Sequence, residues 1–205
     1  MRPHHSRLGL ALSFFLAAAV CATAHAQTDI AVSLYGAFSG ATTGNGITES
    51  PSNAAGGMFE LRHIRNPLMG YEATYSFNGA NQVYHLTGTL PCPPEGCTTA
   101  VSANAHEITG DWLVSVHVAN VRPFALAGAG LLLNQPSSGQ TNTTSSNKPV
   151  FVYGAGLDWR FLPHIGLRFQ YRGNVYKAPD VATAFSSTGA FTHTAEPMIG
   201  AYLRF

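Results

Sequence analysis

Along residues 150–173, VFVYGAGLDWRFLPHIGLRFQYRG, the chain alternates with a period of two. Phe151, Tyr153, Ala155, Leu157, Trp159 and Phe161 share one face, and Val152, Gly154, Gly156, Asp158 and Arg160 the other. After Leu162-Pro163-His164, Ile165, Leu167, Phe169 and Tyr171 alternate with Gly166, Arg168, Gln170 and Arg172. Such alternation predicts two strands of a sheet with chemically different faces. One face is large and apolar, the other glycine and full charges. In a soluble sandwich the apolar face is the core. In a membrane barrel it is the outside, and the charged face lines the interior.

The same pattern divides the chain beyond residue 26 into eight segments, at 30–40, 54–63, 69–78, 106–118, 123–133, 150–161, 165–173 and 191–205. Val32, Leu34 and Phe38 oppose Ser33 and Ser39 in the first; Phe59 and Leu61 oppose Glu60 and Arg62 in the second. Tyr71, Ala73, Tyr75 and Phe77 oppose Glu72, Thr74 and Ser76 in the third; Trp112 and Val114 oppose Asp111 and Ser115 in the fourth. The fifth does not declare its facing, because Leu131 to Leu133 is apolar throughout. In the eighth, Ile199, Ala201, Leu203 and Phe205 oppose Glu196, Gly200, Tyr202 and Arg204.

The connections supply the orientation. Short ones at 64–68, 119–122 and 162–164 alternate with long polar ones at 41–53, 79–105, 134–149 and 174–190. Outer-membrane barrels alternate short periplasmic turns with long outer loops in this way. The expected fold is therefore all-β: an eight-stranded antiparallel up-and-down transmembrane barrel with both termini periplasmic. Closure is required, since an open sheet edge in hydrocarbon leaves backbone groups unpaired.

Composition agrees. Charged residues make up 10% of the chain, against roughly 25% in soluble domains. The longest apolar run after the N-terminus, 124–133, is too short for a spanning helix. Residues 1–26 read as a signal peptide: Arg2 and Arg7, a short apolar core at 8–20, then Ala24-His25-Ala26 as a small-x-small cleavage site, with a cut after Ala24 as the alternative. Cys21 follows Val20, a residue unlike the small one that precedes a lipoprotein cysteine. Domain organisation is thus a signal at 1–26 and one barrel domain at 27–205. Removing Arg2 and Arg7 leaves nine Lys plus Arg against ten Asp plus Glu, without the basic stripe that nucleic acid requires.

The layout, with RPFALAGAGLLL at 122–133, VYGAGLDWRFLPHIGLRFQYRG at 152–173 and the ending MIGAYLRF, resembles the eight-stranded transmembrane domain of the outer membrane protein A family. The resemblance implies a lipid-embedded barrel in the outer membrane of a Gram-negative-type bacterium. It also implies that Ile199, Ala201, Leu203 and Phe205 form the terminal signal read by the outer-membrane assembly machinery. Many members continue into a peptidoglycan-binding domain; the sequence stops at Phe205, so no such tether is implied.

The inward positions include Glu60, Glu72, Asp111, Asp158 and Glu196 against Arg62, Arg160, Arg168, Arg172 and Arg204. An eight-stranded barrel is only wide enough for its own side chains, so these charges are expected to pair and plug the lumen. A narrow porin-like channel is the alternative. Cys92 and Cys97, in one loop of a secreted chain, are expected to form a disulfide. Tyr71, Tyr75, Phe77, Trp112, Phe151, Trp159, Phe161 and Tyr171 are expected in interfacial girdles. The histidines show no metal spacing, and no phosphate loop, nucleophile elbow or cofactor fingerprint occurs. Ser115 and His117 share a face, as a lipid hydrolase would need, but that face should point inward. The leading expectation is a monomeric, non-catalytic barrel with no cofactor, with a structural or surface-interaction role and possible ligands at the long loops. A lipid hydrolase and a secreted lipocalin-like carrier, with the apolar face turned inward, remain as rivals.

Overall fold

The computed structural model describes residues 26–87, 91–92, 96–185 and 187–205. The expected signal peptide, apart from Ala26, lies outside them. Eight long antiparallel strands form the wall: β1 (Gln27–Ser39), β4 (Ala54–Asn66), β5 (Met69–Leu86), β6 (Thr98–Ser115), β7 (Val121–Pro136), β8 (Ser146–Arg160), β9 (Ile165–Lys177) and β10 (Phe191–Arg204). Each pairs with its sequence neighbours, and β1 pairs with both β4 and β10. The sheet therefore closes on itself as an eight-stranded barrel without a free edge, the condition for strands to stand in hydrocarbon.

The two faces fall as the alternation predicts. Val32 and Leu34 are 62% and 70% exposed on the outside, whereas Ser33 and Glu60 are buried within. All eight expected girdle aromatics are exposed. Tyr171 is the exception in position: it sits opposite Ala155 and Pro197, well inside its strand. The facing of β7 is resolved, with Arg122, Phe124, Leu126 and Leu132 inward. Phe124, Leu126 and Leu132, together with Leu113, Val150, Val152, Tyr176 and Ile64, make one sector of the interior apolar.

The long-loop end is more ordered than the polar composition of its segments implies. Strands β5 and β6 continue past the expected ends at 78 and 106, pairing as far as His85 and Thr98. A hairpin, β2 (Thr42–Gly44) and β3 (Ile47–Pro51), occupies the first long connection and adds β3 to the outer part of β5. Its two-residue turn is Asn45-Gly46, both with positive φ (51° and 75°). That is the twist a tight hairpin needs and the reason for Asn-Gly there. Cys92 and Cys97 are disulfide-bonded in the connection between β5 and β6.

The final connection folds over the barrel mouth. Val181, Ala182 and Phe185 pack on Ile47, Tyr84 and Val101, forming a small apolar core above the band that faces lipid. The Tyr84 hydroxyl donates to Pro179 O at 2.8 Å and accepts from Val181 N at 3.2 Å. Thr144 N donates to Val181 O and Thr183 N to Asn142 O, joining this connection to that between β7 and β8. Residues 140–147, within the long polar connection expected at 134–149, are thus partly tied down, with Ser146 and Asn147 already in β8.

Candidate functional site

Three arginines dominate the lumen near the short-turn end. Arg168 points from β9 with no solvent exposure; its Nε donates to Asp158 Oδ1 at 2.7 Å and its Nη1 to Glu60 Oε2 at 2.7 Å. Arg62 from β4 donates through Nε to Glu72 Oε2 at 2.5 Å and through Nη1 to Asp158 Oδ2 at 3.2 Å. Its guanidinium stacks 4.1 Å over the Phe124 ring. Arg122 at the start of β7 bridges Asp29 and Asp158 with Nη2, at 2.5 and 2.6 Å. Asp158 accordingly takes hydrogen bonds from all three arginines. The participants come from β1, β4, β5, β7, β8 and β9, so the cluster spans the lumen rather than lining one wall.

A second tier lies toward the long loops. Arg172 Nη1 donates to Thr74 at 3.1 Å and Nη2 to Thr109 at 3.2 Å, with Glu107 at 3.4 Å and Asp111 at 3.8 Å. Asn174 Nδ2 donates to Glu107 Oε2 at 3.0 Å. Glu196 is buried at the same level, directly opposite Arg172 in the pairing of β10 with β9. Gly154 sits beside Arg172, where an added Cβ would come within 3.4 Å of its Cγ. Gly156 makes room instead for Phe124, the ring beneath Arg62: a Cβ there would lie 2.5 Å from it.

Among the ten expected lumen charges, Arg160 and Arg204 stand outside both tiers. Both are part-exposed at the short-turn end, and Arg160 bonds Asn120 of the turn at 3.3 Å. Their inward parity is correct, but at that depth water reaches them and no carboxylate is needed. The structure supplies Arg122, Asp29 and Glu107 instead. Ser115 is buried at the end of β6 while His117 is exposed beyond it, so they do not form a site in the lumen. Among the described residues no cluster of three His, Cys, Asp or Glu side chains is arranged to hold a metal.

The mouth contains one more buried acid. Glu49, from β3, is 1% exposed and stands 3.5 Å from the Tyr84 hydroxyl. Burial pushes its carboxyl from 4.5 up to about 8, Asp180 adds to this, and the Tyr84 hydroxyl and Lys148 oppose it. Below pH 4.5 the acid is neutral whether the mouth is closed or open. Between 4.5 and about 8 only the open form ionises, so closure weakens as pH rises. Amide exchange across 178–185 is expected to lose protection between pH 5 and 8, beyond the intrinsic rate. The Glu49→Gln variant should remove this loss; an unchanged profile would refute the role of Glu49.

On the outside, Tyr75 and Tyr153 hydrogen-bond His106 and His193 at 2.9 Å each, in the aromatic belt nearer the long loops. Ile199, Leu203 and Phe205 are exposed on the same outer surface. A closed wall, an apolar exterior and a charged interior together describe a protein that stands in a bilayer.

The model of the outer membrane protein beta-barrel domain matches residues 10–192. The chain belongs to this family. Solved structures agree in fold. Outer membrane protein OprG from Pseudomonas aeruginosa is 9% identical with a TM-score of 0.57, over 89% of this chain and 97% of that one. Neisserial surface protein A is 14% identical with a TM-score of 0.51, over 88% and 99%. The attachment invasion locus protein Ail of Yersinia pestis, in complex with the heparin analogue sucrose octasulfate, is 18% identical with a TM-score of 0.50, over 88% and 99%. None of the curated proteins matches. The chain is an outer-membrane β-barrel protein.

Proposed function

We propose that this protein is a monomeric, non-catalytic outer-membrane barrel whose lumen is shut by its own charges and whose working surface is the long-loop end. The observation that carries the proposal is Asp158 receiving Arg62, Arg122 and Arg168 together across the lumen. Paired guanidiniums and carboxylates fill a width that an eight-stranded barrel barely exceeds. Reconstituted in planar bilayers, the wild-type barrel is expected to show no steady conductance. A large, stable, ion-selective conductance would refute closure and make the protein a channel.

The orientation belongs to the same proposal: both termini and the short turns periplasmic, and the long connections outside. A tag inserted between Cys92 and Cys97, in the connection between β5 and β6, is expected to be reachable by antibody on intact cells; accessibility only after the outer membrane is broken would reverse it. The ordered mouth offers a folded surface rather than loose loops to a ligand. The long connections contain Lys148 and Lys177 as their only Lys or Arg. A heparin-like polyanion, the ligand class in the Ail complex, is therefore not the partner this surface favours. A neutral or weakly charged surface partner fits it better. The outward row ending in Phe205 is proposed as the stretch that the assembly machinery reads.

A further inference from the structure

A cavity of about 30 Å³ lies between the Arg172 tier and the mouth, walled by Glu107, Glu196, Asn174, Gln82, Asn134 and Tyr176 among others. That is room for one small ion and a water. Four polar atoms of these buried residues have no hydrogen-bond partner among the described residues: Glu196 Oε2, Asn174 Oδ1, Gln82 Oε1 and Asn134 Nδ2. Glu196 is 3% exposed and Asn174 1%. Three of the four are oxygens, one a full carboxylate oxygen.

The charges of the cavity and of the adjoining Arg172 tier, taken together, do not cancel. Glu107, Asp111 and Glu196 are opposed there by Arg172, whose contacts go to Glu107 and Asp111 and not to Glu196. The excess is two negative charges. Arg62 and Arg168 cannot supply the difference, because their hydrogen bonds are made with Glu60, Glu72 and Asp158. Uncompensated buried charge is among the most costly arrangements in a protein. Either protons or a cation must offset it.

We propose that this cavity is a binding site for a hard divalent cation of calcium type, held by the carboxylates of Glu196 and Glu107 with the amide oxygen of Asn174. The donor set is oxygen only, mixed between carboxylate and amide, which is the set calcium takes and softer metals do not favour. A divalent ion matches the excess of two charges. It also gives the orphaned oxygens of Glu196 and Asn174 a shared partner, and it links β6, β9 and β10 at the level where the barrel leaves the lipid band. The site does not depend on the lumen being closed to ions.

The test uses the barrel refolded in detergent micelles after chelation, with terbium alone as the probe and Tyr176 as the sensitising ring in the cavity wall. Saturable sensitised emission, displaced by calcium, is expected for the wild type. Glu196→Gln is expected to weaken terbium binding at least tenfold, whereas Asp180→Asn at the exposed mouth leaves it unchanged. If Glu196→Gln does not refold, Asn174→Ala reports on the same ligand set. Absence of saturable emission, or equal binding by the cavity variants and the wild type, would overturn the proposal. So would a stability gain from Glu196→Gln that is the same in calcium and in chelator, since protons alone would then be offsetting the charge.

Discussion

Replacing Arg168 by Ala is expected to lower barrel stability by about 3–5 kcal/mol, the range for breaking a buried ion pair from one side. The loss should exceed that of Asp158→Ala, although Asp158 accepts from more partners. Charge counting decides the order. The inner cluster holds Asp29, Glu60, Glu72 and Asp158 against Arg62, Arg122 and Arg168. Without Asp158 three carboxylates face three guanidiniums, and each arginine keeps one other carboxylate. Without Arg168 four carboxylates face two, and Glu60 retains only the Ser33 hydroxyl, at 2.5 Å. Lysine is not expected to rescue the position, since one ammonium cannot reproduce the two-pronged contact to Asp158 together with the bond to Glu60. Urea unfolding in micelles measures the order, and bilayer recording of Arg168→Ala should show a leak. Equal or reversed losses would mean that the cluster is not governed by its charge balance.

The second large effect is expected from adding an arginine rather than removing one. Leu34→Arg puts a guanidinium in the middle of the lipid-facing row of β1, where Leu34 is 70% exposed. A lipid-face arginine at the bilayer midplane costs about 2–4 kcal/mol, and the folded fraction in bilayers should fall accordingly. The same change at Thr43, in the hairpin above the band, should cost little. The apolar surface is then a lipid contact; tolerance of arginine at Leu34 in a bilayer would mean that it is not.

Much of the architecture was legible because one face of every spanning strand has to be apolar. The alternation in 150–173 gave the strands and their facing, and the rhythm of short and long connections gave the strand number. Depth was less legible. Period-two parity places Arg160 and Arg204 inside as surely as Arg168, yet says nothing of how far each lies from water. Arg122 and Asp29 fell just beyond the expected strand ends, the first in the turn at 119–122 and the second between the signal peptide and the first strand, although Arg122 begins the inward row of β7 and Asp29 follows Gln27 in that of β1. Glu107 carried a usable signal, sharing parity with Thr109 and Asp111. The outer extensions of β5 and β6 were hidden for another reason. Above the lipid both faces are polar or small, as in Asn78-Gly79-Ala80-Asn81, so backbone pairing persists after the side-chain contrast has gone. Glu49 stood in an apparent loop, and only the folding of residues 178–185 over it makes it a buried acid.

The backbone bonds from Thr144 to Val181 and from Thr183 to Asn142 have a bearing on how the exposed end can diversify. Two connections that are far apart in sequence share one small roof, so neither is free to change length alone. An insertion in one must be matched in the other or the roof comes off. Room for independent variation lies instead in the segment between β5 and β6, where a disulfide joins Cys92 to Cys97. That segment is the place to graft a foreign epitope without disturbing the roof.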